Sequence, residues 1–348
     1  MSGHTSGTVP APPATAAAFD LSVIDPGLDA KVRAGLTAVE ERLHAAIGQA
    51  DRLADDVSRH LVLAGGKRVR PTLTLLAAHF GDPGRPEVIE AAVAVELTHL
   101  ASLYHDDVMD SAPVRRGAPA AHEVWGNTVA IITGDLLFAR ASALVAALGP
   151  QAVRIQAETF ERLCLGQLHE TVGPQDGDDP VTHYLQVLAD KTGSLIATSA
   201  RYGALFGGCD PETLDVLTRY GERVGVAFQL ADDVIDLVSD GDESGKTPGT
   251  DLREGVPTLP VLLARRHAAE YGDADSRRLV DLLDGDLTDD DRVAECVRLL
   301  RAHSATEQAR ERAHRWATEA VDGLAALPDG PAKESLVAFA GAVVARTR

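Results

Sequence analysis

The chain has 348 residues, 45% of them hydrophobic and 24% charged, which is enough to bury a large core and lies outside the ranges of collagen, disulfide miniproteins and disordered chains. Thirty-three lysines and arginines stand against 52 aspartates and glutamates, a net charge of −19, and the resulting field repels a phosphodiester backbone, so nucleic acid is excluded as the expected partner. A small anionic substrate fits that balance if the few cations are grouped locally and metal cations offset the carboxylates around it.

Residues 1–18 combine Gly, Ser, Thr, Pro and Ala with almost no bulky side chain, too little to offset the entropy of ordering, and are predicted to be a disordered tail. From residue 19 to 348 the composition does not shift, which predicts one domain. Long Ala/Leu/Val/Glu/Arg-rich stretches alternate with breaks such as Gly65-Gly66, Gly149-Pro150 and Gly173-Pro174. Apolar residues recur within the stretches at three and four positions, the helical spacing, and strand alternation is hard to find. The expected fold is all-α. With few aromatics the core must be filled by Ala and Leu, so helices can approach closely. The three cysteines Cys164, Cys209 and Cys296 are odd in number, distant and without CxxC spacing, which speaks for thiols in a reducing cytoplasm rather than disulfides or zinc. No run of about 18 consecutive apolar residues and no secretory leader is seen, so the expectation is a cytoplasmic protein without stable membrane insertion.

In chain order, the first chemically marked element is Gly65-Gly66-Lys67-Arg68-Val69-Arg70-Pro71, a glycine turn followed by three cations. Glycine lets backbone approach an anion, and Lys and Arg neutralise phosphate oxygens; a helix stop beside exposed charges is the plainer alternative. The stretch Glu87 to Met109 reads as a buried helix that carries Asp106-Asp107-Val108-Met109-Asp110, and Arg115-Arg116-Gly117 follows it. Lys191-Thr192-Gly193 comes next. A second buried helix, Gly221 to Val238, carries Asp232-Asp233-Val234-Ile235-Asp236, and Gly245-Lys246 lies beyond it. Residues four apart share a helix face, so Asp106 with Asp110, and Asp232 with Asp236, each aim two carboxylates in one direction. Like charges inside apolar helices need a compensating cation, and hard carboxylate oxygens select Mg²⁺. One such cluster could be a solvated acidic face; two matching clusters on two apolar helices favour the metal.

GGKRVRP, LYHDDVMDSAPVRRG, VWGNTVAIITGD, DKTG, FQLADDVID and GKTPGTDLREGVPTLP, in that order, resemble the motifs of the trans-isoprenyl diphosphate synthases, the polyprenyl synthetase family, over Leu21 to the C-terminus. The resemblance implies the isoprenoid synthase fold, a single helical bundle around a central cavity, and condensation of isopentenyl diphosphate with an allylic diphosphate. It further implies that Asp106, Asp110, Asp232 and Asp236 hold Mg²⁺, and that Arg115, Lys191, Thr192, Gln229 and Lys246 contact the allylic diphosphate, with Asp106, Asp110, Asp232, Lys191 and Arg115 serving catalysis. Lys67, Arg70, His99 and Arg116 would hold isopentenyl diphosphate; for His99 only the resemblance speaks, packing being the default for such a histidine. Trp125, Gly126 and Gly134 read as packing residues. Many relatives carry a second lysine where this chain has Thr250, which lowers the cation count at the second motif. A homodimer is implied, as is no more than transient membrane contact during product release.

Product length is gated along the helix before the first motif, where a turn and an isoprene unit are both about 5 Å long. Relatives making short products place aromatics four or five residues before it. Here those positions are Ser102 and Ala101, and Thr98 and Leu97 follow one turn on. Long all-trans products are therefore expected, and the resemblance implies about C30 to C50, of the kind that become quinone side chains, with geranylgeranyl diphosphate as the alternative. Phe138 is an aromatic on the next helix that could form a floor, a core role being the plainer reading. A terpene cyclase would carry a different second motif and need no GGKRVRP, and a noncatalytic synthase subunit would have lost one aspartate motif.

Overall fold

In the computed structural model the described residues are 25–238, 248–345 and 347; the tail expected over residues 1–18 lies outside them. They form an all-α bundle. Helices α1 (Pro26–Ile47), α2 (Arg52–Leu63), α3 (Val69–Ala78), α4 (Pro86–Met109), α5 (Ala121–Trp125), α6 (Asn127–Leu148) and α7 (Pro150–Val172) make the first half. The second comprises α8 (Pro180–Leu188), α9 (Ser194–Phe206), α10 (Pro211–Val238), α11 (Thr250–Arg253), α12 (Leu259–Tyr271), α13 (Ala274–Leu283), α14 (Asp290–Ala302), α15 (Ser304–Gly323) and α16 (Pro331–Ala345). Side chains of Asp25, Asp51, Asp179, Asp273 and Asp289 accept backbone N–H groups at the starts of α1, α2, α8, α13 and α14. Part of the acidic excess is thus spent on capping, where a carboxylate meets the positive helix end.

The centre of the bundle is α4. It is apolar on every side, and its residues divide between two hydrophobic clusters: Val88, Ala91, Ala94 and Val95 belong to the larger, and Ala92, Val93, Leu97, Leu100, Ala101 and Tyr104 to a smaller one shared with α1, α2 and α6. Close approach is achieved with glycine, as the small-residue core predicts. A Cβ on Gly203 of α9 would collide with the Thr74 carbonyl of α3, and one on Gly221 of α10 would lie 2.8 Å from the Cα of Ala197 in α9.

Two features depart from the sequence reading. Val114–Arg115 and Ala118–Pro119 form a two-stranded antiparallel ribbon, too short to show alternation. Its turn residues Arg116 and Gly117 both have positive φ, 55° and 77°, as tight hairpins require. Second, α6 is long and apolar enough to cross a membrane by length and composition, with only 33% of its apolar window buried. Asp135 and Arg140 interrupt it, so no continuous apolar run flags it in the sequence. It packs chiefly on α4 and leaves Ile131 and Ile132 exposed, and α7 beside it exposes Val153, Phe160, Leu165, Leu168 and Val172.

Candidate active site

The C-terminal ends of α4 and α10 carry the two acidic motifs. In each, the middle aspartate points away from the other two, as a 100° step per residue dictates, and is held by a neighbouring segment; Asp107 lines neither cavity described below, whereas Asp233 also borders the polar one. Asp107 is fully buried and accepts a bond from Arg115 Nε at 2.5 Å. Asp233 is buried and accepts from the Tyr184 hydroxyl at 2.7 Å and the Leu259 N–H at 3.5 Å, and burial pushes its carboxyl up to about 8. Asp106 is half-buried; desolvation raises its carboxyl to about 6, Lys191 pulls against that rise and Asp110 adds to it. Asp232 and Asp236 are half-buried, and the Asp236 carboxylate receives the N–H groups of Thr250 and Asp251 at 3.2 and 3.3 Å. Asp236 therefore also holds the start of α11. Among the described residues no three acidic, imidazole or thiolate groups gather into a metal cage.

The predicted cations split by what they meet. Arg68, in the left-handed region at φ 48°, turns inward to Glu40 of α1 and to Glu96 of α4, the latter at 2.9 Å. It fixes the glycine turn and is spent as a structural ion pair. Arg70 differs. Its Nε is sealed from solvent and has no hydrogen-bond partner, and desolvation lowers its guanidinium to about 10 against the pull of Glu96. His99 is held neutral, well below its usual range, by desolvation and then by Arg70, Arg116 and Arg115 nearby. Arg116 donates to the carbonyls of Gly65 and Leu61, and Gly66 makes room for it, since a Cβ there would sit 2.8 Å from its guanidinium carbon. Lys67 stands exposed at the rim. Arg70, Arg116, Arg115 and His99 thus crowd one another, an arrangement that calls for an anion between them.

Two cavities share a wall at Lys191, and neither is lined by Arg70, Arg115, Arg116 or His99. One, of about 510 Å³, is apolar and lined by Ser102, Val108, Ile131, Phe138, Phe160 and Leu163, with Asp106 and Lys191 at its polar side. The other, of about 650 Å³, is polar and is lined by Asp110, Glu170, Lys191, Thr192, Gln229, Asp233 and Asp251, while Asp232 and Asp236 line neither cavity. Met109, Gln167, Thr171 and Lys191 line both. Lys191 pairs with Glu170, and the Thr192 hydroxyl donates to Gln229 at 3.4 Å. Lys246 lies outside the described residues.

Of the four predicted chain-length positions, Ser102 lines the apolar cavity. The other three do not: Leu97 and Ala101 are buried in the smaller core cluster, and the buried Thr98 hydroxyl bonds to Gln156 at 2.7 Å. Phe138 does line the cavity, its ring 4.5 Å from that of Phe160 and 5.7 Å from that of His105. Gly134 admits His105, which a Cβ there would strike, and Trp125 packs its edge on His60; both are packing residues, as expected. Sequence reasoning missed Gln167 and Glu170. Their spacing of three residues places them on one face of α7, the signal that could have found them.

A family model described as polyprenyl synthetase matches residues 51–300. Nonaprenyl diphosphate synthase of Mycobacterium tuberculosis is 48% identical over 318 residues, covering 91% of this chain and 94% of that protein. Among solved structures, geranylgeranyl pyrophosphate synthase from Corynebacterium glutamicum, complexed with calcium and isoprenyl diphosphate, superposes with a TM-score of 0.83 at 44% identity, covering 93% of this chain and 98% of that one. A decaprenyl diphosphate synthase from Rhodobacter capsulatus gives a TM-score of 0.83 at 32% identity over 92% and 99% of the two chains.

Proposed function

The chain belongs to the polyprenyl synthetase family, and from that premise we propose that it is an all-trans long-chain polyprenyl diphosphate synthase, a prenyltransferase that adds isopentenyl diphosphate units to an allylic diphosphate. The observation that carries this reading is the junction of the two cavities at Lys191. A charged head group fits the polar cavity and a growing hydrocarbon tail the apolar one.

Asp106, Asp110 and Asp232, with Asp236, would hold Mg²⁺, which when bound neutralises the diphosphate charge that grows as the group departs. Lys191, Thr192, Gln229 and Arg115 surround the allylic diphosphate and stabilise the same developing charge with fixed donors. Arg70, Arg116, His99 and Lys67 bind the diphosphate of isopentenyl diphosphate. The unpartnered Nε of Arg70 supports that role, because a buried guanidinium N–H without an acceptor is costly until an anion arrives. The allylic C–O bond breaks with its electron pair leaving on the diphosphate; the isopentenyl double bond attacks the allylic carbon, and loss of a proton restores the double bond. The apolar wall of Val108, Ile131, Phe138, Phe160 and Leu163 offers the cation no competing nucleophile.

Of the α4 residues in the two turns before Asp106 only Ser102 and His105 line the apolar cavity, and the small Ser102 side chain supports a long product, about C30 to C50 by resemblance, over geranylgeranyl diphosphate. A homodimer is formed through α6 and α7, whose exposed Ile132, Val153 and Leu165 are more apolar than a water-facing surface favours. The three free thiols suit a reducing cytoplasm.

The test is to incubate the purified protein with isopentenyl diphosphate and C10, C15 or C20 allylic primers, with Mg²⁺ and with EDTA, and to resolve the products by length. Metal-dependent products beyond C25 are expected. No condensation refutes the activity, and a product ending at C20 refutes the long-chain assignment.

A further inference from the structure

Helices α8 and α9 are one helix interrupted by a single π-helical turn, Ala189–Gly193. Such turns hold an extra residue at the expense of regular bonding and occur frequently at functional sites. This one carries Lys191 and Thr192, the two residues that line the polar cavity from this segment.

The turn is gripped from two sides. On α7, a Cβ at Gly166 would lie 2.6 Å from the backbone nitrogen of Lys191 and 3.1 Å from the carbonyl carbon of Asp190. On α10, a Cβ at Gly225 would lie 2.8 Å from the Cα of Gly193. Across this sandwich runs Arg162 of α7. Its Nε donates to Asp190 Oδ1 at 2.7 Å, and its Nη2 donates to the Ala189 carbonyl at 3.2 Å and to Glu222 Oε1 of α10 at 2.6 Å. The second Asp190 oxygen accepts from Gln186 Nε2 at 2.8 Å, and the Asp190 carbonyl accepts from the Ser194 hydroxyl at 2.6 Å. Arg162, Asp190 and Glu222 line neither cavity.

We propose that Arg162, acting through Asp190 and Glu222, is a positioning residue that clamps the π-helical turn so that Lys191 and Thr192 are presented to the allylic diphosphate. One planar guanidinium on α7 satisfies two carboxylates and a carbonyl from two other segments, the π-helical turn and α10, a task a lysine cannot duplicate. Without it, Asp190 and Glu222 lose their shared cation and the turn can relax to α-helical register, which rotates Lys191 by about 100°. The proposal rests on reading Lys191 and Thr192 as diphosphate contacts.

The experiment compares Arg162→Met, Arg162→Lys, Asp190→Asn, Lys191→Ala and the double variant Arg162→Met/Lys191→Ala in the full chain, with Michaelis constants measured separately for isopentenyl diphosphate and a C15 primer. Arg162→Met is expected to raise the constant for the primer at least about tenfold and that for isopentenyl diphosphate less than about twofold, with Arg162→Lys in between. The double variant should lose clearly less than the product of the two single losses, with only the Thr192 share remaining, because residues acting through one another do not add. Additive losses, equal effects on both substrates, or wild-type constants in a folded Arg162→Met protein overturn the clamp. If Arg162→Met does not fold, Asp190→Asn must give the same substrate split and the same non-additivity with Lys191→Ala, or the clamp is wrong. A Lys191→Ala protein with unchanged primer kinetics overturns the diphosphate reading, and the clamp with it; an impaired Lys191→Ala beside a normal Arg162→Met overturns the clamp alone.

Discussion

Single side chains at this site are separated into reactive and structural by one helical step. Asp106 and Asp110 face the cavities while Asp107 is turned back onto Arg115. Asp106→Ala or Asp232→Ala should lower kcat at least about a hundredfold, or ~2.7 kcal/mol of transition-state stabilisation, with folding retained by circular dichroism; near-normal turnover in either would remove these residues from the chemistry. The same separation applies to the cations. Arg68 is occupied by Glu40 and Glu96, whereas Arg70 has a sealed N–H awaiting an acceptor. Arg70→Ala and Lys67→Ala should therefore raise the Michaelis constant for isopentenyl diphosphate about tenfold or more and leave the primer within about threefold. Equal changes for both substrates would show that the two anion sites are not divided in this way.

At the scale of elements, α4, α6 and α7 enclose the apolar cavity, and their aromatic residues rather than the α4 ruler alone set its shape. Ser102 faces that space, so Ser102→Phe should shorten products toward C15 or C20, as read by chromatography of the dephosphorylated alcohols. Ala101 is buried, and its carbonyl lies 3.1 Å from where a Cβ on Gly134 would be. Ala101→Phe is accordingly expected to cost stability through overpacking, about 1–3 kcal/mol, before it affects length. The Phe138→Ala/Phe160→Ala pair removes the ring contact on the opposite wall and should shift products longer; an unchanged distribution would exclude the pair from length control. Close helix contact makes a separate prediction. Gly203→Ala drives a methyl into the Thr74 carbonyl and the Ala77 side chain and should lower the stability measured by urea unfolding by about 1–3 kcal/mol.

For the whole molecule, the outer face of α6 and α7 leaves a row of apolar side chains in water. Ile132 is 60% and Val153 45% exposed, and neither lines a cavity. Ile132→Asp/Val153→Asp should convert a particle of twice the chain mass into one of the chain mass, as read by light scattering after size exclusion. A wild-type protein that is already monomeric, or a variant that stays dimeric, would count against this face as the contact.

The sequence by itself determined the helical class, the two acidic clusters, the grouped cations and their order, because each is a local pattern: a period, a spacing or a glycine beside charges. It also placed α4 and α10 as buried helices, since apolar residues on all faces leave no side for water. Tertiary structure decided the partners. Arg68 meets Glu40 28 residues away, Tyr184 reaches Asp233 across 49, and Arg162 spans Asp190 and Glu222; no period encodes such meetings. Of the four predicted length-gating positions only Ser102 faces the cavity, and the aromatic wall comes from two other helices. Helical periodicity fixes the direction of a side chain relative to its own axis, while the neighbour it finds there depends on how distant segments pack, and the divide between anchor, ligand and cavity wall is made by that neighbour.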